Sequence, residues 1–335
     1  MSSAGRRGFP ALGLGGAGIG NLYRAIADDQ AIATVHAALA NGFGLIDTAP
    51  YYGHGLSETR IGAALRSWRG ARPMISTKVG RVLDPAAPGS TGDFGFVDPL
   101  PFRPRFDYSR GGVRRSLEAS LSRLGVQKVD IVLVHDIGRL THGEDHPRIL
   151  RQVLEETLPE LEAARARGLL DRIGIGVNEW EVCVEILSRT ALDVILLAGR
   201  YTLLEQPALD GGLLDLCAGR GVRVLAGGVF NSGLLAGRPT AASRYNYEPA
   251  AAGVVERARL LWTVCESFGV VPQAAALRFP AAHEAVATVL AGAQSPAEAA
   301  EIATWRDMDL PAELWRELKR TGFIAEDAPV PPSRG

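Results

Sequence analysis

This sequence predicts an α/β fold, a single (β/α)8 TIM barrel, on three observations. Short aliphatic or β-branched runs alternate with amphipathic stretches of helical length along the whole chain, the pattern of β/α units around a parallel sheet. Eight such runs can be counted, the number a closed barrel needs. The 335 residues are enough for one barrel-sized core. A doubly wound open sheet is the competing arrangement of the same units.

Taken in order, the predicted strands are PALGLG (10–15), GLIDTA (44–49), PMISTKV (73–79), VDIVLVHD (129–136), RIGIGV (172–177), DVILLA (193–198), VRVLAGG (222–228) and VATVLAG (286–292). Between the first two, DDQAIATVHAALANG predicts a helix that Asp28 or Asp29 caps and Gly42 ends. LSETRIGAALRSW predicts the next, with Ser57 as its cap. SRGGVRRSLEASLSRLG, RILRQVLEETLPELEAARARG, EWEVCVEILSRT, LLDLCAGRG, AGVVERARLLWTVCESFG and SPAEAAEIATW supply the others.

Two connections exceed mere joints, and both follow strands, which in a barrel puts them on the face that carries the active site. Residues 80–106 hold Phe94, Phe96, Phe102 and Phe106 in a polar setting and predict a substrate lid. The segment VFNSGLLAGRPTAASRYNYEP combines small residues with Asn231 and Ser232, which suits contact with a cofactor. One domain is expected over residues 1–324, with a mobile proline-rich tail over 325–335.

Composition narrows the function. Thirty-six basic and 37 acidic side chains are interspersed and nearly cancel, without the basic run that neutralises phosphates, so nucleic acid is not an expected partner. No apolar run reaches membrane-spanning length and MSSAGRRGFPAL lacks a signal-peptide core, so a cytoplasmic protein with no membrane partner is expected. Cys183, Cys217 and Cys265 are few, odd in number and far apart, and read as buried small hydrophobes.

Gly13-Leu14-Gly15-Gly16-Ala17-Gly18 matches the dinucleotide fingerprint G-x-G-x-x-G in the wrong setting, since GIGNLYRAIADD continues as a loop instead of opening a helix. Glycines here, Gly16 among them, are expected to let backbone approach a ligand closely.

Three apolar strands end in polar groups: Asp47 after GLI, Lys78 after MIST and His135 after VDIVLV. Such groups are costly on a buried strand unless paired or used. A barrel brings the three ends to one rim, where Tyr52 can lean over them. Proton transfer coupled to hydride transfer at a carbonyl carbon suits this set. A free tyrosine has a pKa of about 10, and an adjacent ammonium, Lys78, is expected to stabilise its phenolate. Asp47 would hold Lys78, and His135 would donate a hydrogen bond to the substrate oxygen. Tyr51 and His54 are neighbours without an assigned role.

The segments GFGLIDTAPYYGHGLSETRIGAAL, ISTKVG, SLSRLGVQKVDIVLVHD, IGIGV and FNSGLLAG resemble the aldo-keto reductase family, over essentially the whole chain. The resemblance implies Tyr52 as the acid–base group, with Asp47, Lys78 and His135 beside it and a nicotinamide dinucleotide across the barrel mouth. It also implies cofactor contacts from Asp47, Gly228, Asn231, Ser232, Gly292 and Gln294. Where family members carry IGVSN, this chain has IGIGVNEW, so Asn178 becomes the candidate for the nicotinamide amide and Trp180 a candidate substrate contact. The usual stacking aromatic after the seventh strand is replaced by Gly227 and Gly228, with Phe230 as the candidate substitute.

Relatives that prefer NADP place basic residues after the eighth strand, whereas VLAGAQSPAEAAEI has none and carries Glu298 and Glu301. That implies NAD, because a carboxylate repels a 2′-phosphate and accepts ribose hydroxyls. Within the family, the sequence is similar to the aldose 1-dehydrogenases acting on L-fucose, L-galactose or D-threo-aldoses and to pyridoxal 4-dehydrogenase. The expected partner is therefore a small molecule, with the chain a monomer or small homo-oligomer. Competing readings are a general NADPH aldehyde reductase, a non-catalytic binding subunit, and a metal hydrolase using His135, Asp136, His142, Asp145 and His146.

Overall fold

The computed structural model describes residues 8–87 and 95–332. Eight parallel strands close into a barrel in chain order: Leu12–Gly15, Leu45–Asp47, Met74–Val79, Ile131–His135, Arg172–Val177, Val194–Ala198, Arg223–Gly227 and Val286–Gly292, the last pairing with the first. Each falls within a predicted run. The expected barrel is present and the open sheet is not.

Side chains alternate along each strand, so every second residue points inward. Leu45, Met74, Ile131, Leu133, Val194, Leu196, Leu225 and Leu290 fill the barrel interior, with Phe9 packed against them. The opposite faces pack on the helices in a second, larger apolar layer. The inward set turns polar toward the C-terminal end of the second, third and fourth strands, which is what places a polar site on top of a dry plug.

Several expectations are corrected. The first helix runs Asp28–Ala40 behind Ala27, so Asp28 and Asp29 lie in its first turn, favourable to the helix dipole, and neither caps it. Ser57 lies inside the helix Leu56–Ser67, where its hydroxyl donates to the Gly16 carbonyl at 2.7 Å and pairs with Thr48 Oγ1 at 2.8 Å. The connection 80–106 contains an antiparallel hairpin, Arg81–Pro85 with Phe102–Phe106, and Phe96 is buried. Phe94 lies outside the described residues. Residues 325–332 pack on the body, with Ala328 buried in the core, so the tail is anchored over that stretch; its last three residues lie outside the described ones.

The three cysteines are buried, and burial pushes the Cys217 thiol up to about 11 and that of Cys265 to about 12. Among the described residues, no single helix is long and apolar enough to cross a membrane.

Candidate active site

Asp47 and Lys78 end up side by side because register pairs Asp47 with Ser76 and Lys78 with Leu133, and both acid and lysine fall on inward positions. Thr77 points outward instead, donating to Glu58 at 2.6 Å. All three hydrogens of the Lys78 ammonium are assigned: to Asp47 Oδ2 at 2.6 Å, to the Thr48 carbonyl at 3.0 Å and to Tyr52 Oη at 3.0 Å. Asp47 Oδ1 accepts from Ser76 Oγ at 2.8 Å. Lys78 and Asp47 are 1% and 3% exposed, so the ion pair is desolvated and its geometry must be held closely. A Cβ at Gly176 would lie 3.2 Å from Lys78 Cε, and the glycine there leaves the lysine its channel.

Tyr52 is positioned by backbone contacts. Gly53 has φ +62°, and a Cβ at Gly20 would lie 2.7 Å from the Tyr52 carbonyl carbon. Gly16 donates its N–H to the Asp47 carbonyl at 2.7 Å. The N-terminal glycines thus bring backbone against the second strand and its loop, which sharpens the expectation of close approach to a ligand; Gly15, Gly16 and Gly18 also line the cleft described below.

Burial raises the Tyr52 phenol above its ordinary value; Lys78 opposes this and Asp47 adds to it. The expected lowering by Lys78 is present but outweighed, so the free site holds a neutral phenol. For Lys78, burial acts downward, yet the Asp47 carboxylate, with the hydrogen bond to Tyr52, holds it above its ordinary value, as a charged ammonium. Burial, helped by Arg81 and Lys78 and opposed by Asp136, pushes His135 down to about 3, so its imidazole is neutral. His135 Nε2 lies 3.5 Å from Asp136, and among the described residues its Nδ1 has no hydrogen-bond partner.

Two clefts meet over Tyr52 and Asn178. One, of about 820 Å3, is lined by Tyr51, Tyr52, Lys78, Arg81, Phe96, His135 and Asp136. The other, of about 340 Å3, runs past Gly16, Asp47, Gly228, Phe230, Asn231, Ser232, Gly292, Gln294 and Glu298. Glu301 joins only the outer end, with Arg24, Phe230 and Trp305. Trp180 lines neither cleft: its ring packs on Gly211, where a Cβ would lie 2.3 Å away, so the candidate substrate contact is not made. Phe230 lies against Trp305 at the outer end, 5.9 Å between ring centres, so it is placed away from the substrate cleft.

The matching family model is that of the aldo/keto reductase family, over residues 11–322. The chain belongs to the aldo-keto reductases. It is an oxidoreductase, in a family that uses nicotinamide cofactors. Pyridoxal 4-dehydrogenase of Microbacterium luteolum is 38% identical, with 94% of each chain covered. D-threo-aldose 1-dehydrogenase of a Pseudomonas species is 37% identical, over 94% of this chain and 95% of that one. A solved aldo-keto reductase of Bacillus halodurans superposes with TM-score 0.72 at 23% identity, covering 94% and 95% of the two chains, and shares the fold.

This aldo-keto reductase fits a dinucleotide on its own geometry. Asn231 is 4% exposed and neither atom of its amide is hydrogen-bonded among the described residues, an arrangement that costs folding energy and leaves both atoms for a ligand. Its φ of +49° is a strained backbone state of the kind found at binding sites. Ser232 Oγ accepts the Tyr247 N–H at 3.0 Å, which brings the hairpin Arg244–Tyr245/Glu248–Pro249 over the cleft.

Ser76, Tyr247 and Arg24 escaped the sequence reading. Ser76 carries the signal of two-residue spacing from Lys78. Tyr247, which lines both clefts with Tyr52, has only the aromatic content of RYNYE to mark it. Arg24 comes from the loop after the first strand, and nothing in the sequence places it beside Glu298.

Proposed function

We propose that this chain oxidises the cyclic hemiacetal of an aldose to its lactone with NAD, using Tyr52 as general base. The carrying observation is the fully assigned Lys78 ammonium, which ties Tyr52 Oη to Asp47 under both clefts. Asp47 keeps the lysine charged, and the lysine stabilises the phenolate once the tyrosine has lost its proton. The hemiacetal hydroxyl passes its proton to Tyr52 Oη while the hydrogen on the same carbon leaves as hydride and the C=O bond of the lactone forms. The cofactor, when bound, supplies the hydride acceptor. His135, neutral, orients the substrate oxygen by hydrogen bonding. Asn178, Asn231 and Ser232 would hold the dinucleotide.

NAD is the reading that the outer end supports. Arg24 is the one cation there among the described lining residues, and its Nη2 donates to Glu298 Oε1 at 3.2 Å. Glu298 Oε2 accepts the Gln294 N–H at 2.7 Å. A 2′-phosphate would have to displace Arg24 from an acid that would then repel it, whereas ribose hydroxyls meet a carboxylate acceptor.

A second reading, oxidation of pyridoxal to 4-pyridoxolactone, is favoured by the 38% identical relative, and pyridoxal also closes to a hemiacetal. Steady-state NADH formation from L-fucose, L-galactose, D-arabinose and pyridoxal tests both. The expected outcome is kcat/KM highest for an aldose and higher with NAD than with NADP. Preference for NADP would overturn the cofactor assignment, and absence of NADH from every substrate would overturn the hemiacetal reading.

A further inference from the structure

Immediately after His135, the chain turns into a left-handed residue, Asp136, with φ +48°. The conformation is held from outside the cleft. The Tyr108 hydroxyl lies 2.8 and 2.9 Å from the carbonyls of His135 and Asp136, and His142 Nε2 lies 2.9 Å from the latter. Tyr108 itself packs where Gly80, at φ +98°, leaves room, since a Cβ there would lie 2.4 Å from its ring. Two side chains, Tyr108 and His142, therefore fix a strained backbone that serves to aim one carboxylate, and strain so over-determined is a mark of a functional position.

The carboxylate meets Arg81, whose Nη2 donates to Asp136 Oδ2 at 2.6 Å. The guanidinium is clamped between two rings, 4.0 Å from the centre of Tyr51 and 4.3 Å from that of Phe106. Both charged side chains are about one-seventh exposed or less, and both line the substrate cleft beside Tyr52. Among the described residues, nothing accepts from Arg81 Nε, which is buried, and the Asp136–Arg81 pair lies at the cleft wall. Neither group takes part in the proton or hydride step.

We propose that Asp136 and Arg81 form a hydroxyl-recognition subsite, one that selects a vicinal diol on the ring of an aldose. This rests on the hemiacetal reading above and names the residues that would choose the substrate. A carboxylate only accepts hydrogen bonds and a guanidinium only donates them, while each hydroxyl can do both. A carboxylate and a guanidinium that line the cleft side by side therefore match two neighbouring hydroxyls, one donating to Asp136 and the other accepting from Arg81. The pair is neutral overall, so it gives no advantage to anionic sugars. His135 Nε2 lies 3.5 Å from Asp136, so with the reacting oxygen at His135 the next hydroxyl on the ring comes within reach of the acid. Tyr51 and Phe96, edge to face at 5.3 Å, wall the same cleft and cover the apolar C–H faces of a sugar.

The test compares L-fucose, L-galactose and D-arabinose with tetrahydropyran-2-ol, a cyclic hemiacetal that lacks every other hydroxyl. The readout is the ratio of kcat/KM between the best aldose and tetrahydropyran-2-ol, which cancels any common effect on folding or on His135. The wild type is expected to favour the aldose, and Asp136→Asn, which tolerates the left-handed backbone, to shrink the ratio by about ten- to a hundredfold, mainly through KM. Arg81→Lys, retaining charge but not the fork, is expected to shrink it in the same direction. An unchanged ratio in both variants overturns the subsite while leaving the hemiacetal reading intact. Turnover of tetrahydropyran-2-ol with no aldose preference in the wild type does the same. Failure of the wild type to oxidise any of these compounds overturns both.

Discussion

The two ends of the catalytic groove are built on opposite principles. Around Asp47, Lys78 and Ser76, polar atoms are partnered within the protein, and glycine contacts fix the loop that carries Tyr52. Past the seventh strand, Asn231 holds a buried amide without partners on a left-handed backbone. The Asp47–Lys78 end is finished before any ligand arrives, whereas on the proposed assignment the cofactor end would be completed by its ligand. Orientation at the site of chemistry is worth most when it costs no rearrangement, and unsatisfied groups are useful only where a bound molecule restores their hydrogen bonds.

That contrast can be broken at either end. Tyr52→Phe removes the proton acceptor and is expected to lower kcat by about 10²–10⁴-fold, with NADH affinity, read by fluorescence titration, nearly unchanged. Retained turnover would remove Tyr52 from the chemistry. Lys78→Met leaves the Asp47 carboxylate buried without its partner and is expected to cost about 3–5 kcal/mol in urea unfolding, a loss that Asp47→Asn on the same background should partly restore. No loss would mean the ion pair contributes nothing to the finished end.

Because burial holds the Tyr52 phenol above its ordinary value, the base form becomes populated only in alkaline solution. Aldose oxidation should climb about tenfold in kcat/KM per pH unit from neutrality upward, while reduction of the matching aldehyde, which uses the phenol, stays flat over that range. A pH-independent oxidation rate would contradict this order. At the other end, Asn231→Gly keeps the left-handed backbone and removes the orphaned amide. The expected result is a few-fold weaker NAD binding by calorimetry with melting temperature unchanged or slightly raised, the reverse of the Lys78→Met pattern.

The barrel was legible because each strand is a short apolar run between helical periods, and parallel strands buried on both faces have that composition. Asp47, Lys78 and His135 were legible for the same reason, as polar interruptions of those runs. Contacts between loops that are distant in sequence left no such trace. Arg24 and Glu298 are 274 residues apart, and only closure of the first strand on the eighth joins them. Trp180 misled because an unusual residue beside a known position suggests a ligand, but packing on Gly211 absorbs it. Ser57 resembled a cap because a helix does begin beside it, yet Gly55, at φ +97°, starts that helix and frees the hydroxyl to join Gly16 to Thr48.

The saturation of the Lys78 ammonium has a consequence for chemical compatibility. Open-chain aldoses and pyridoxal carry aldehydes, and an aldehyde condenses with an unprotonated amine to form an imine. Lys78 sits next to where such a carbonyl would lie, but it is held as an ammonium with no lone pair to add. The chain's other lysines also have partners, Lys128 with Asp171 at 2.6 Å and Lys319 with the Glu326 carbonyl. On the proposed function, the contacts that would prepare Tyr52 for proton transfer also keep its neighbouring lysine from condensing with an aldehyde substrate.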